Sequence, residues 1–249
     1  MRQYIIMIVS YKWYNRLGNN IIQLINIIDI ALLYKHNIVF KTNLIFFNLR
    51  FLENIFKQYN NNDIITDKYN FHNYTNRYKI KLSNKNIKIR NNLLKKAFLI
   101  KDIQKIYEDD VVLHIRSGDI FSLNPPEKYT PPPLIYYTHL LDKYKYKKII
   151  IVCEDRINPV VNKLLKMYKN SVHNINSLEN DIKLILGATN VISSVGTFVH
   201  NLMIFSKYNK NYFKPNKKKL KNYYTYMNCW KNTKNQVDYM MTYKEKILN

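Results

Sequence analysis

The chain has 249 residues, 47% of them hydrophobic and 14% aromatic. This length and composition suit a folded protein of one large domain or two small lobes, and they exclude an intrinsically disordered chain. The formal net charge of +23 favours anionic partners such as nucleic acid, an anionic membrane surface or phosphorylated small molecules. The sequence is also crowded with Ile, Asn, Lys and Tyr and holds only four Gly, as an AT-rich genome such as that of a large DNA virus would impose on any protein. The charge alone therefore decides no function.

The cysteines and the apolar segments indicate the compartment. Cys153 and Cys229 provide neither a disulfide framework nor the spacing of a metal site, so a reducing compartment is the default. The apolar start at residues 1–8 is too short for a signal peptide. The apolar stretch 21–33 contains polar residues and is shorter than a membrane span, which predicts a buried helix. We expect a soluble, cytoplasmic protein without a transmembrane helix.

The first part of the chain has the pattern of a strand, a loop, a helix and a second strand. An apolar run at residues 4–9 predicts a parallel strand, and a loop ending at Gly18 follows it. A broad apolar pattern predicts a helix over 20–35, and residues 37–41 form the next strand. A glycine at a strand-to-helix turn lets the helix N-terminus face an anion. The chain contains no complete dinucleotide or phosphate-loop glycine motif, so this signal is weak by itself.

The middle of the chain is less regular. Apolar residues at mixed spacing predict a helix, or a loop followed by a helix, over 44–58. The polar, Asn-rich stretch 58–92 is either a surface excursion or a mobile segment between two lobes. Residues 93–107 have an amphipathic pattern that leads into the second half.

Strands and helices alternate clearly in the second half. The Pro-rich segment 125–133 predicts a structured loop over the sheet edge, because proline fits neither a helix interior nor a sheet ladder. The predicted strands are 111–115, 148–153, 172–175 and 190–193, and the predicted helices are 134–145, 159–168, 178–186 and one that follows Thr197 to about residue 206. This alternation predicts a parallel α/β unit. Residues 207–249 are basic and Tyr-rich, with a predicted late helix over 235–247.

These elements give an α/β protein of three parts. Residues 1–107 form an N-terminal Rossmann-like lobe, and residues 108–207 form a C-terminal Rossmann-like lobe. Residues 208–249 are a basic extension that packs back on the body.

Polar side chains follow each strand of the second lobe. They are His114, Arg116 and Asp119, then Glu154 and Asp155, then Ser193, Ser194 and Thr197, with Asp181 in the first turn of a helix. Because the carboxyl ends of parallel strands share one edge of a sheet, these groups form a candidate site for a nucleotide diphosphate. The planar guanidinium of arginine binds a diphosphate, and hydroxyls and helix N-termini donate hydrogen bonds to further phosphate oxygens. A carboxylate accepts the paired N–H donors of guanine.

Each of these residues also has a structural alternative. Ser177 and Asn158 are helix caps, and Ser193 is a candidate cap. Asp181 is as well placed to compensate a helix dipole, and Glu154 and Asp155 suit ordinary loops. The convergence on one edge favours the site. The six histidines lack metal-ligand spacing and no Asp-x-Asp follows a strand, so no metal is expected.

Three motifs resemble those of the α-1,2-fucosyltransferases, a family 11-like group within the superfamily that shares an H-x-R-R-x-D motif. Residues 15–20 (NRLGNN) resemble the family's G-x-L-G-N-Q loop, and residues 114–119 (HIRSGD) resemble H-x-R-R-x-D. The segment 179–194, an acidic helix start followed by a strand ending in serines, resembles the third motif. Order and spacing match over roughly the first 205 residues.

The resemblance implies a GT-B-like fold of two Rossmann-like lobes, reduced in size. It also implies GDP-fucose as the donor, a glycan hydroxyl as the acceptor and no metal. By the resemblance, Arg116 holds the β-phosphate and Asp119 orients the arginine. His114 and Asp181 contact the guanosine. Ser193 or Ser194 contacts the phosphates, and further binding residues are Gly18, Asn19, Asp155 and Thr197. Three positions depart from the family's pattern: Asn15 and Asn20 in the first motif and Ser117 in place of the second arginine.

The chemistry agrees with this resemblance. Glycosyl transfer passes through an oxocarbenium-like transition state, so the main task is to stabilise the departing diphosphate, which an arginine can do. Asp119, Glu127 and Asp155 are candidates for a general base. Two alternatives remain: a nucleic-acid-binding protein that uses the net charge and the many tyrosines, and an inactive relative that only binds nucleotide or glycan.

Overall fold

The structure is a computed structural model that describes residues 6–10, 12–57, 63–66, 81–121, 131–215 and 241. The chain divides into two compact units, Met1–Lys101 and Asp102–Asn249. The helix expected over 235–247, apart from Met241, and most of the Pro-rich segment lie outside the described residues.

The first unit contains a parallel three-stranded sheet. Its strands are β1 (Ile6–Ser10), β2 (Ile38–Phe40) and β3 (Asp63–Thr66), in the order β2–β1–β3. The strand β3 falls inside the polar stretch that the sequence suggested was an excursion or a mobile linker, so that interpretation is wrong for residues 63–66. Four residues in Asn-rich surroundings carry too little pattern to predict a strand. They form a strand because they pair with β1.

Helix α1 (Leu17–Tyr34) is the core of the first unit. It is long and apolar enough to cross a membrane by length and composition, but 61% of it is buried inside the unit, as expected for a core helix. The helix starts three residues before the predicted position and ends at Lys35, which has a left-handed backbone (φ 55°). Its Asp29 pairs with Arg90 at 3.1 Å.

Two further helices among the described residues of this unit begin at side-chain caps. Helix α2 (Leu49–Phe56) follows a loop and is capped by Asn48, which confirms the expected loop and helix. Helix α3 (Asn84–Ala97) is capped by Ser83 and contributes Arg90 to the ion pair with α1.

The second unit contains a five-stranded, all-parallel sheet in the order β6–β5–β4–β7–β8. The strands are β4 (Asp110–His114), β5 (Lys148–Val152), β6 (Ser171–Asn174), β7 (Asn190–Ser193) and β8 (Asn211–Phe213). The connecting helices are α4 (Leu134–Tyr144), α5 (Pro159–Met167), α6 (Leu178–Gly187) and α7 (Phe198–Leu202), the last continued by a 3₁₀ turn, Met203–Phe205. The predicted strand and helix order of this lobe is confirmed. Strand β4 lies at the centre, and its core residues Val111 and Leu113 are fully buried.

Two features at the margins of this unit go beyond what the sequence predicted. Strand β8, within the segment assigned to the C-terminal extension, is the edge strand beside β7. The amphipathic stretch 93–107 is helical as far as Ala97. Beyond it, the Ile106 N–H donates to the Gly187 carbonyl at 2.9 Å, and a Cβ at Gly187 would lie 2.1 Å from the Gln104 carbonyl oxygen. This stretch is therefore held in a non-helical path by close packing on the end of α6.

Candidate functional site

The carboxyl ends of three strands meet at the centre of the second sheet. His114, the last residue of β4, is in register with Val152 of β5 on one side and with Ser193 of β7 on the other. The segments that leave these strands therefore start from one edge, as the sequence predicts for parallel strands.

Arg116 is held by Asp119 in a two-point ion pair. The Arg116 Nη2 lies 2.7 Å from Asp119 Oδ2, and Nε donates to Oδ1 at 3.2 Å. The side chains are 16% and 28% exposed. Such bidentate geometry holds the guanidinium in one orientation.

Gly196 makes room for that guanidinium on the other side. A Cβ at Gly196 would lie 3.0 Å from Arg116 Nη1, and the glycine has a φ of +120° that L-residues rarely adopt. The turn after β7 thus brings backbone against the arginine that follows β4. Gly196 is one of only four glycines in the chain, and this scarcity predicts a backbone position that a side chain would obstruct, which the geometry at Gly196 confirms.

His114 is neutral at ordinary pH. Burial, and to a lesser extent the charge of Arg116, lowers the pKa of His114 to about 4. The ring packs against Phe198 of α7 with centroids 5.5 Å apart. Its Nδ1 is buried and has no hydrogen-bond partner among the described residues.

Two further polar atoms at this edge are buried without a partner in the part of the chain that the structure describes: Asp181 Oδ1 and Ser194 Oγ. Burial raises the pKa of Asp181 to about 6. The Ser194 N–H donates to the His114 carbonyl at 2.9 Å, which ties the exit of β7 to the end of β4. A buried polar atom without a hydrogen bond lowers the stability of the fold by about 1–3 kcal/mol. His114 Nδ1, Asp181 Oδ1 and Ser194 Oγ are therefore atoms to which a polar ligand could form hydrogen bonds.

The Ser193 hydroxyl is engaged within the sheet. It bonds to the Phe213 carbonyl at 3.2 Å and to the Tyr212 hydroxyl at 3.2 Å, and the residue is 1% exposed. The resemblance implies that Ser193 or Ser194 contacts the phosphates, and of these two hydroxyls the one of Ser193 is engaged by strand β8. Ser194 is the member of the serine pair whose oxygen has no partner among the described residues.

Ser117 and Asp155 build the scaffold behind Arg116. Ser117 is fully buried, donates its hydroxyl to Asp155 Oδ1 and accepts the Asn158 N–H at 3.1 Å. The same Asp155 oxygen accepts the Ile157 N–H at 2.9 Å. These bonds commit that oxygen of Asp155, an expected binding residue, to the loop after β5.

Asn158 also has more than the capping role that the sequence suggested. Its Oδ1 accepts the Val160 N–H at 3.0 Å, as an N-cap does, and its Nδ2 donates to the Arg116 carbonyl at 3.0 Å. Ser117, which stands where the resembled motif has its second arginine, is thus part of a buried network with this asparagine. No local signal in the sequence reveals that network.

The other candidate residues occupy supporting positions. Thr197 is the N-cap residue of α7, and its carbonyl accepts the Asn201 N–H at 3.1 Å. Both Asp119 oxygens bond to Arg116, and Glu127 lies outside the described residues. Glu154 lies over Gly118, where a Cβ would approach its Oε1 to 2.3 Å. No cluster of three or more His, Cys, Asp or Glu able to hold a metal occurs in the described ranges.

The loop of the first unit has its special backbone at Asn15 rather than at Gly18. Asn15 adopts a left-handed conformation (φ 61°), which asparagine tolerates well, where the resembled motif has its first glycine. Gly18 is buried in the first turn of α1, and the Asn19 N–H donates to the Arg16 carbonyl at 2.9 Å. The expected glycine at the strand-to-helix turn is therefore inside the helix.

No protein-family model matches the chain, and no curated protein sequence matches it. Among solved structures, POFUT1 in complex with GDP-fucose aligns with a TM-score of 0.50 at 10% identity, over 85% of this chain and 98% of that one. The chain has the GT-B fold. POFUT1 with GDP aligns with a TM-score of 0.49 at 10% identity, over 85% and 98%. The E. coli heptosyltransferase WaaC with ADP-2-deoxy-2-fluoro heptose aligns with a TM-score of 0.39 at 13% identity, over 84% and 92%.

The GT-B fold agrees with the α/β class predicted from the strand and helix order, and with the GT-B-like fold that the resemblance of the three motifs implies. At 10% identity this similarity shows the fold alone. The chemistry of this chain must therefore be argued from its own site residues.

Proposed function

We propose that this protein is a glycosyltransferase that transfers fucose from GDP-fucose to a hydroxyl of a glycan without a metal ion. The observation that carries the proposal is the Arg116 guanidinium, held by two contacts to Asp119 beyond the end of β4. A cation in a defined orientation at the carboxyl edge of a parallel sheet is suited to a diphosphate.

Arg116 would stabilise the leaving group. When the glycosidic bond to the donor breaks, negative charge develops on the departing diphosphate, and a preorganised cation lowers the free energy of that transition state. Asp119 keeps the guanidinium oriented before the donor arrives, so little reorganisation is needed during the reaction.

The buried polar atoms at the same edge would bind the nucleotide. Asp181, with a pKa of about 6, is mostly ionised at neutral pH and can accept two N–H donors from a guanine edge. His114 is neutral, so it adds no positive charge that would compete with Arg116, and its Nδ1 can exchange a hydrogen bond with the nucleoside. The Ser194 hydroxyl can donate to a phosphate oxygen.

The choice of donor has two supports outside the site. The motifs of residues 15–20, 114–119 and 179–194 resemble those of fucosyltransferases. The POFUT1 structure that shares the fold was solved with GDP-fucose. Neither support concerns the acceptor, which we assign only to the class of glycan hydroxyls.

Calorimetric titration of GDP-fucose tests the proposal. Arg116→Ala should weaken binding about 10- to 100-fold, since a hydrogen bond to a charged group contributes about 1.5–3 kcal/mol. Arg50→Ala, which removes an exposed arginine from α2, is the control for net charge and should bind as the intact protein does. Transfer to a glycan should persist in EDTA.

Equal affinity for GDP-fucose in the intact protein and in Arg116→Ala would contradict the donor site, and so would binding of other sugar nucleotides in its place. Binding without any transfer across a panel of glycans would indicate an inactive relative. Steeply salt-dependent binding to single-stranded nucleic acid, unaffected by Arg116→Ala, would favour the nucleic-acid alternative.

A further inference from the structure

A stacked aromatic pair lies at the carboxyl edge of the sheet in the first unit. Trp13, in the loop after β1, packs against Phe40, the last residue of β2, with ring centroids 5.7 Å apart and an interplanar angle of 24°. Both side chains are partly exposed. In an open parallel α/β sheet this is the edge at which ligands bind.

The indole is held in one orientation. Its Nε1 donates to the Thr42 carbonyl at 3.2 Å, so the only polar atom of the ring already has a partner. The exposed remainder of the ring is therefore apolar. A partly exposed, immobilised indole offers a flat apolar surface at little cost in conformational entropy.

The loop that carries Trp13 is preorganised from α1. Gln23, which is fully buried, donates its Nε2 to the Lys12 carbonyl at 2.9 Å and accepts the Tyr14 N–H at 3.3 Å. One side chain of the core helix thus clamps the backbone on both sides of the tryptophan. Purely hydrophobic cover over the sheet would not require such a clamp.

A buried polar atom near this aromatic pair is further evidence that a ligand binds here. Ser10, the last residue of β1, is fully buried, and its Oγ has no hydrogen-bond partner within the described ranges. Ser10 is in register with Phe40, so its unpartnered hydroxyl belongs to the same strand ends as the aromatic pair. A ligand that combines an apolar face with a hydroxyl rim would match both features.

We infer that Trp13 and Phe40 form a stacking platform for a pyranose ring of the acceptor glycan. A pyranose has a face of C–H bonds that packs on an aromatic ring, and its hydroxyl rim bonds to polar groups around the platform. The role of this sugar as acceptor rests on the proposed function, whereas its binding to Trp13 does not.

Saturation-transfer NMR on the full chain, without donor, tests the binding. The probes are the methyl pyranosides of galactose, glucose, mannose and N-acetylglucosamine. At least one should bind the intact protein and bind Trp13→Leu about tenfold more weakly or not at all, while Trp13→Phe, which keeps a ring, retains part of the affinity. Tyr34→Leu is the matched control, because Tyr34 is also exposed and stacked on a neighbouring ring (His36) but lies at the far end of α1.

Tryptophan fluorescence provides a second measurement that does not depend on a destabilising variant. The chain has two tryptophans, so a Trp230→Phe protein emits from Trp13 alone. Binding of the pyranoside should shift this emission to the blue as water leaves the ring. An unchanged emission with a bound pyranoside, or binding that Trp13→Leu leaves intact, overturns the inference, and so does the lack of binding by every probe.

The result separates this inference from the proposed function. If a pyranoside binds through Trp13 but GDP-fucose does not bind, the platform stands and the proposed donor is wrong. If GDP-fucose binds and transfer occurs with the same acceptor KM in Trp13→Leu, the platform is wrong and the proposed function stands. Both hold if Trp13→Leu raises the acceptor KM about tenfold and leaves donor affinity unchanged.

Discussion

Replacing Asn158 should destabilise the second unit and weaken donor binding together. Asn158 is 1% exposed and connects three places: the first turn of α5 through Val160, the Arg116 carbonyl through Nδ2, and the Ser117 hydroxyl through its own N–H. It therefore ties the loop after β5 to the backbone that carries the proposed diphosphate-binding arginine.

Two contributions set the size of the effect. Loss of the N-cap in Asn158→Ala costs about 1 kcal/mol, and leaving the carbonyl of Arg116 without its donor costs about 1–3 kcal/mol. Asn158→Ser keeps a capping hydroxyl and removes only the bond to Arg116. We expect Asn158→Ala to lose about 2–4 kcal/mol in the free energy of unfolding and Asn158→Ser about 1–3 kcal/mol.

Denaturant unfolding followed by circular dichroism measures these losses, and a GDP-fucose titration measures the effect on the site. Ser83→Ala, which removes only a cap of α3 in the first unit, is the control and should cost about 1 kcal/mol without changing donor affinity. The reasoning is refuted if Asn158→Ser is as stable as the intact protein and binds GDP-fucose equally well.

Two further predictions concern stability. Gly187→Ala should lower the melting temperature by several degrees, because the added Cβ would lie 2.1 Å from the backbone oxygen of Gln104 and overpacking costs about 1–3 kcal/mol. Calorimetry that shows an unchanged melting temperature would contradict this packing. Because burial, with a smaller contribution from Arg116, lowers the pKa of His114 to about 4 from 6.5, stability from this group is present above pH 6.5 and lost as the pH falls through about 4. The loss in the free energy of unfolding should be roughly 3 kcal/mol. His114→Gln should therefore flatten the pH dependence of the unfolding midpoint in this range. An unchanged pH dependence in this variant would show that His114 is not buried as a neutral ring.

The sequence predicted the second unit well because its local signals agree with its tertiary environment. Strands such as Lys148–Val152 are short apolar runs, and each of the following helices α5 and α6 begins with a capping side chain, Asn158 or Ser177. Each signal occupies a few neighbouring residues. Where the pattern was short, as in Asp63–Thr66 and Asn211–Phe213, pairing with a distant strand decided the structure.

The candidate site shows the same division. The pairing of Arg116 with Asp119 spans three residues, and the motif implied it. The contacts of Ser117 with the loop after β5 span about forty residues, and no local pattern encodes them. This buried network accounts for the serine that stands where the resembled motif has an arginine.

The sequence by itself determined the order of strands and helices in the second unit and the edge at which polar groups collect, because hydrophobic period, capping residues and the rule for parallel sheets act locally. The tertiary structure decided which polar groups remain available there. It assigned the Ser193 hydroxyl to β8 and an Asp155 oxygen to the scaffold, and it left His114 Nδ1, Asp181 Oδ1 and Ser194 Oγ without partners in the described part of the chain. The physical reason is that a buried hydrogen bond depends on which distant segment arrives beside it, and the local sequence does not carry that information.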